Sequence, residues 1–172
     1  MPLDPASVSS SSILLPPLRG WVKVNFDAYV ANGTIRALGI VIRDSFRKIL
    51  VTGVRRLKAR WSVDMSEAAA ALFSLEVASR FDFEHIQLEG DSLTMISAIN
   101  NKKDGFSPVH FLYDSIFALS SNYWGFGCSF VKRDGNLLVH LVARWDTGLA
   151  NEKICIEPFP QGLQTLADLD LC

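Results

Sequence analysis

The chain has 172 residues, of which 49% are hydrophobic and 20% are charged. This length and apolar content suit one globular domain with a sizeable core. The formal net charge of -1 and the pI near 6.3 exclude a uniformly basic protein of the kind that binds nucleic acid strongly, so any basic surface has to be local.

Neither a secretion signal nor a membrane span is predicted. The N-terminal region has only a short apolar run before Pro16 and no basic residue before Arg19, and no stretch approaches about 18 uninterrupted apolar residues. The three cysteines, Cys128, Cys155 and Cys172, are too scattered for a zinc or redox motif, which favours a reducing compartment. We therefore expect an intracellular protein of the cytoplasm or the nucleus that binds no membrane.

Composition divides the chain into three parts. Residues 1–19 are rich in proline and serine and bury too little apolar surface to offset the entropy of ordering, which predicts a flexible tail or linker. Residues 20–150 carry the periodic patterns of a folded domain. Residues 151–172 are apolar in patches and interrupted by Pro158 and Pro160, so we expect a tail packed on or near that domain.

Three strands are predicted first. Residues 20–27 alternate apolar and polar side chains and end on Asp27, which indicates a half-buried strand with Asp27 on its polar face. Turn residues separate it from a nearly all-apolar strand over 37–44, and another turn precedes a strand over 48–54. Such short connections favour an antiparallel meander.

Glu67 begins the clearest helical pattern, over residues 68–78. Asp64 lies three residues before Glu67, and this spacing satisfies the capping-box pattern with an acid in place of serine or threonine. Glu67 therefore has a structural explanation as well as a functional one.

Asp91 ends a fourth alternating strand, over residues 85–91, and a short helix over 92–100 follows it. Asp91 is also a natural N-cap for that helix. A strand separated from its neighbours by a helix pairs most readily in parallel, so we expect a right-handed crossover that places this strand beside the first. The end of the fourth strand then lies near Asp27.

A third helix over 109–123, a fifth strand over 125–132 and a helix over 137–145 complete the pattern. The predicted fold class is α/β, with a mixed five-stranded sheet of three antiparallel strands followed by two parallel ones, flanked by helices. Three carboxylates converging on this sheet, from Asp27, Glu67 and Asp91, would make a cation site. Paired acids would also suit a glycosidase, but nothing else in the sequence indicates a sugar cleft.

Four sequence blocks resemble, in order and in residue type, the signature blocks of the ribonuclease H family (type 1). They are Asn25-Phe26-Asp27, Met65-Ser66-Glu67-Ala68, Gly90-Asp91-Ser92 and the run from Arg133 to Ala143. The resemblance covers residues 17–150 and is greatest to the plant-type subgroup related to retroelement reverse transcriptases, in which an opening run like residues 20–27 is typical. Each block is weak alone, and the combination is specific.

The resemblance implies an endonuclease that hydrolyses the RNA strand of RNA–DNA hybrids, with two Mg²⁺ ions or with Mn²⁺. Asp27 would bind both ions, and Glu67 and Asp91 would hold the site from either side, so these three are the implied catalytic and metal-binding residues. Magnesium prefers oxygen ligands and retains waters, which explains the choice of acids. Without metal, crowding should raise the pKa of at least one acid. The expected partner is an RNA–DNA hybrid and the expected state a monomer.

His140 stands where the wider family carries a fourth acid, if the last block is aligned on Asn136. Imidazole suits zinc, manganese or iron better than magnesium, so hydrolysis is expected to be slow, manganese-dependent or lost. The alternative function is a catalytically weak or silent retroelement-derived module that binds nucleic acid or protein. Asp134 lies in the adjoining turn, whereas His85 and His110 are expected to be surface or packing residues.

Basic residues cluster in a few segments of the otherwise neutral chain. This pattern is equally typical of a solvated charged face and of a phosphate track. The residues are Arg43, Arg47, Lys48, Arg55, Arg56, Lys58 and Arg60, and more sparsely Lys102, Lys103, Lys132 and Arg133.

Overall fold

A computed structural model describes residues 17–160 and 162–169. The N-terminal tail predicted over residues 1–19 therefore lies outside the described residues except for positions 17–19. Cys172 lies outside them too. The strands are β1 (Val22–Ala31), β2 (Thr34–Arg43), β3 (Ile49–Ala59), β4 (His85–Gly90), β5 (Gly125–Phe130) and β6 (Glu152–Cys155). The helices are α1 (Val63–Ala78), α2 (Leu93–Asn100), α3 (Pro108–Ser120), α4 (Leu137–Val142) and α5 (Leu163–Leu169), with a 3-10 turn over Arg133–Asn136.

The described strands form one mixed sheet in the order β5-β4-β1-β2-β3-β6. The first three strands are antiparallel. Strand β4 pairs in parallel with β1, and β5 pairs in parallel with β4. The predicted α/β class, the meander and the parallel crossover are confirmed. The strand count of five was too low, because Glu152–Cys155 pairs antiparallel with β3 inside the segment predicted as a tail. Four residues are too short a run to show a period in the sequence.

β1 is longer than predicted, and this changes the position of Asp27. The strand continues through Asp27 to Ala31, where the backbone turns back at Asn32 (φ 53°) and Gly33 (φ 68°). Positive φ at both central residues is the geometry of a two-residue hairpin turn that matches the strand twist. Asp27 therefore lies within a paired strand, opposite Gly39, and not at a strand end.

Helices cover both faces of the sheet. On one face, apolar residues of β1 and β2 pack with α1, α2 and α3. On the other face, Val41 and Val54 pack with the buried side chains of α4 and α5. The prediction that β1 is half-buried is therefore wrong. Alternation assigns its residues to the two faces correctly, but helices cover both faces. Lys23, Asn25 and Asp27, predicted on an open polar face, are all buried.

Gly39 determines how closely α4 approaches the sheet. A Cβ atom on Gly39 would lie 2.6 Å from the Cβ of Ala143 and 2.8 Å from its Cα, a separation that real side chains do not adopt. The residue that ends α4 therefore rests directly on the backbone of β2. Because Gly39 pairs with Asp27, this close contact places α4 beside Asp27.

None of the helices in residues 17–160 and 162–169 is long and apolar enough to cross a bilayer. Cys128 and Cys155, the two cysteines in this part of the chain, are free thiols.

Candidate metal centre

The structure brings together the three acids that the sequence singled out. Asp27 projects from β1, Glu67 from the second turn of α1, and Asp91 from the position directly after β4. One carboxylate oxygen from each residue lies within 4.8 Å of the other two. Asp27 and Glu67 are buried and Asp91 is half-buried, so the cluster opens to solvent on the side of Asp91.

Neither Glu67 nor Asp91 belongs to a helix cap. The predicted capping box of Asp64 with Glu67 and the predicted N-cap at Asp91 are therefore both wrong. Helix α1 begins at Val63, and its N-cap is Ser62, whose Oγ accepts a hydrogen bond from the Met65 amide at 3.2 Å. The N-cap of α2 is Ser92, one residue after Asp91. Both helices begin at other residues than predicted and are capped by serine hydroxyls, so helix capping accounts for neither carboxylate.

Glu67 carries the clearest sign of a missing partner. Within the described part of the chain its Oε2 atom is buried and has no hydrogen-bond partner. Burial, followed by the charges of Asp27 and Asp91, raises the pKa of Glu67 to about 8, although Arg133 and a hydrogen bond with the Ala28 backbone oppose the shift. A buried carboxyl oxygen without a partner costs free energy that a cation would recover.

Asp27 is affected in the same direction. Burial raises the pKa of Asp27, the hydrogen bond with His140 partly reverses the shift, and the charge of Asp91 raises it again. At least one acid was predicted to have a raised pKa, and both Asp27 and Glu67 do, but burial contributes more to the shift than the crowding that was predicted to cause it. A divalent cation would relieve both the burial and the repulsion, and three oxygen donors match the preference of Mg²⁺ and Mn²⁺. The residues present thus fit a hard divalent ion.

His140 contacts the cluster through Asp27. Its Nδ1 atom lies 2.8 Å from Asp27 Oδ2. An ionised carboxylate can only accept, so Nδ1 carries the proton and donates, and in the neutral ring the lone pair is on Nε2. His140 lies outside the group of described acids whose oxygens meet, and so does Asp134, which is exposed in the 3-10 turn.

The other two histidines lie elsewhere. The His85 ring is tilted against Trp21 with 5.2 Å between ring centroids, and the His110 ring is hydrogen-bonded to the Ser107 hydroxyl at 2.6 Å. Both contacts agree with the packing or surface roles expected for these histidines.

A buried polar network, which the sequence did not predict, supports the cluster from the α4 face. Asn136 donates to the carbonyl oxygen of Phe26 at 2.9 Å and accepts from Asn25 at 3.3 Å. Arg43 donates to Asn25 at 3.1 Å, and Asn25 donates to Glu89 at 3.0 Å. Arg43 is buried in this network, so it belongs neither to a phosphate track nor to a solvated charged face.

This network fixes the start of α4 against β1, next to the peptide that precedes Asp27. Buried polar groups are expensive to leave unpaired, so the 3-10 turn and α4 are held in one place. The sequence signal was the shared face of Lys23, Asn25 and Asp27, but their partners on β2, β4 and the 3-10 turn are distant in the chain.

The solved structures that this chain resembles include ribonucleases H. The chain matches RNase H1 from the halophilic archaeon Halobacterium salinarum NRC-1 with a TM-score of 0.66 and 22% identity, over 72% of this chain and 94% of that one. It matches the N-terminal RNase H domain of rv2228c from Mycobacterium tuberculosis with a TM-score of 0.64 and 16% identity, over 72% and 90%. LC11-RNase H1, solved in complex with an RNA/DNA hybrid, gives 0.62 and 12%, over 70% and 92%.

These identities are too low to show more than a shared fold. No curated protein sequence matches the chain. The family model described as reverse transcriptase-like matches residues 25–146, which include all three acids, Asn136 and His140. The chain therefore belongs to the reverse transcriptase-like family and has the ribonuclease H fold.

Proposed function

We propose that this protein is an endoribonuclease that hydrolyses the RNA strand of RNA–DNA hybrids, with Asp27, Glu67 and Asp91 as its catalytic, metal-binding residues. The observation that carries the proposal is the meeting of the three carboxylates within 4.8 Å, with one buried oxygen unpaired. Such a cluster, in a fold that LC11-RNase H1 presents to an RNA/DNA hybrid, suits phosphodiester hydrolysis.

Asp27, Glu67 and Asp91 would hold two Mg²⁺ ions, or Mn²⁺. When bound, such ions polarise a phosphoryl oxygen and lower the pKa of a water molecule. Asp27 is kept in position by its place in the paired strand and by the His140 hydrogen bond. Glu67 projects from a helix packed on the same sheet, so its carboxylate is positioned before substrate binds. Recognition of RNA would depend on its 2′-hydroxyl and groove shape.

The direct test is incubation of the protein with a labelled RNA–DNA hybrid in Mg²⁺ and, separately, in Mn²⁺. We expect internal cuts in the RNA strand of the hybrid and none in its DNA strand or in duplex DNA. Failure to cut with either ion at high enzyme concentration would refute the enzymatic proposal.

His140→Asp is expected to increase hydrolysis in Mg²⁺ by about tenfold or more, because it restores an oxygen donor and a negative charge beside Asp27. The ratio of the Mn²⁺ to the Mg²⁺ rate should fall at the same time, since an imidazole favours manganese over magnesium. Steady-state cleavage rates in the two metals measure this effect.

His110→Asp is the matched control, because it makes the same substitution at a histidine away from the cluster. An unchanged metal ratio in His140→Asp would mean that His140 does not influence the metal preference.

The alternative is a catalytically silent module that retains nucleic-acid binding, and His140 favours it. Its ring is hydrogen-bonded to the central acid at the position where the resemblance calls for a fourth carboxylate. Tight, salt-sensitive hybrid binding without cleavage in either metal would establish this function in place of the nuclease.

Two further parts of the proposal, membership of the plant-type subgroup and an intracellular location in cytoplasm or nucleus, are supported by the sequence alone. The first is supported by the opening run over residues 20–27, and the second by the scattered cysteines. A monomeric state is proposed with them.

A further inference from the structure

A cationic depression lies at the end of the β2–β3 ladder farthest from the β2–β3 turn. Its volume is about 380 Å³, and it is lined by Arg36, Arg56 and Lys58 together with Leu57 and Asn151. The main chain closes one side, because the Arg56 amide donates to the Asn151 carbonyl at 2.7 Å. Three positive side chains and no acid therefore line one concave surface.

The positive charges of this depression are poorly compensated. Among the described residues no carboxylate lies within 4.0 Å of the charged groups of Arg36 or Lys58. Arg56 reaches only Asp146, at 3.9 Å, and that side chain is 84% exposed. An exposed pair at this distance contributes little. Like charges in a concave surface repel one another and attract a polyanion.

The neighbouring Arg55, unlike Arg56, is well paired with acids. It lies 2.8 Å from Glu76 and 2.9 Å from Glu152, and its guanidinium stacks on Phe73 at 4.3 Å. Successive residues of a strand point to opposite faces, so Arg55 lies on the face of α1 and Arg56 on the face of α4. The fold neutralises the arginine on one face and leaves its neighbour nearly unpaired.

Arg56 lies on the same face of the sheet as the Asp27–His140 contact, and Arg36 lines the depression from β2, where the β2–β3 register shifts between Ile35 and Ala37. Tyr29 follows Asp27 by two residues on β1, it pairs with Ala37 of β2, and Ala37 pairs with Arg56 of β3. Strand dimensions of about 3.3 Å per residue and about 4.8 Å between strands put Arg56 roughly 12 Å from Asp27. This separation is short enough for one nucleic-acid strand to span both.

Arg144 occupies the interval between the two sites. Its guanidinium lies 4.2 Å from the centre of the Tyr29 ring and donates to the His140 carbonyl at 2.7 Å. Arg144 thus places a positive charge beside Tyr29, between the acidic cluster and the depression.

We propose that Arg36, Arg56 and Lys58 bind successive phosphates of the nucleic-acid strand that leaves the metal centre on the α4 side. Arg144 would bind a phosphate of the same strand between the metal centre and the depression. The proposal rests on the proposed nuclease function and names the surface that holds its substrate. Phosphate contacts of this kind fix the register of a nucleic acid without reading its sequence. In a chain with a net charge of -1, a local surface has to supply this attraction.

The test compares two charge-matched double variants. Arg36→Gln/Lys58→Gln removes two cations of the depression that have no ion pair, and Arg47→Gln/Lys48→Gln removes two at the β2–β3 turn. Lys48 and Lys58 are ten strand residues apart, or about 33 Å. Binding of a labelled RNA–DNA hybrid is measured by fluorescence anisotropy in EDTA, which prevents cleavage, over a series of KCl concentrations. Thermal unfolding verifies that both variants fold.

The depression variant is expected to bind about tenfold more weakly at low salt and to reduce the slope of log K against log salt by about 2, whereas the control matches the wild type. With hybrids shortened from one end, the depression variant and the wild type should bind equally well, because the shortened hybrid no longer reaches the depression. Equal binding by both variants, with a wild-type protein that binds, overturns this proposal and leaves the nuclease standing. A wild-type protein that neither binds nor cuts hybrids overturns both.

Discussion

Asp27→Asn is expected to reduce cleavage of an RNA–DNA hybrid by about a thousandfold or more, in Mg²⁺ and in Mn²⁺ alike. Asparagine has nearly the same shape as aspartate, and its carbonyl oxygen can still accept the hydrogen bond from His140. The substitution therefore removes the charge of Asp27 from the cluster with little change in packing. Single-turnover cleavage with excess enzyme measures the loss.

Asp134→Asn is the matched control, because Asp134 lies in the adjoining 3-10 turn and outside the group of meeting acids. It should retain most of the wild-type activity. Calorimetric titration of Mg²⁺ and Mn²⁺ gives a second readout that does not depend on catalysis. A binding heat that survives Asp27→Asn unchanged would separate Asp27 from any role with metal.

Metal-free wild-type protein is expected to lose stability as the pH rises from about 4.5 to about 8. The pKa of Glu67 is raised from its ordinary value of 4.5 to about 8 in the folded protein, mainly by burial. The folded state therefore binds more protons than the unfolded chain within this window, and the free energy of unfolding decreases as those protons are lost. The raised pKa of Asp27 acts in the same direction. A loss of a few kcal/mol is expected across the window.

Glu67→Gln should flatten this dependence and make the metal-free protein more stable than the wild type at pH 8, because an amide cannot ionise. Chemical denaturation at several pH values in EDTA measures the effect, and Glu84→Gln, at an exposed position, is the control. Addition of Mn²⁺ should stabilise the wild type increasingly as the pH rises and should have little effect on Glu67→Gln. A wild-type protein equally stable at pH 5 and pH 8 would contradict the shift.

Much of the fold could be predicted from local patterns. Alternation located β1, β4 and β5, and helical spacing located α1 and α3, because side-chain direction follows backbone period. An apolar run between turns located β2, and the neighbouring turns and breaks located β3, α2 and α4. The positions of Asp27, Glu67 and Asp91 at or beside these elements were sufficient to predict that the acids converge. The strand β6 was missed, since pairing with β3 stabilises a segment too short to show a period of its own.

The environment of the acids was predicted less well. Asp64 and Asp91 were expected to cap helices, yet Ser62 and Ser92 do so, because helix ends are set by which nearby side chain reaches the free amides. The burial of Asn25 and Asp27 depends on α4, which comes more than a hundred residues later in the chain. No pattern within β1 shows that a helix will lie on its polar face.

The amino-acid sequence alone determined the order of β1 to β5 and α1 to α4 and the alternation of side chains along β1, since these follow from short-range backbone geometry, and it singled out the three acids by their places beside those elements. Only the tertiary structure decided that Glu67 has a buried oxygen without a partner, that His140 binds Asp27, and that Arg36, Arg56 and Lys58 share one depression. These properties depend on contacts between distant segments, and such contacts are settled when Gly39 and the buried polar network bring α4 onto the sheet.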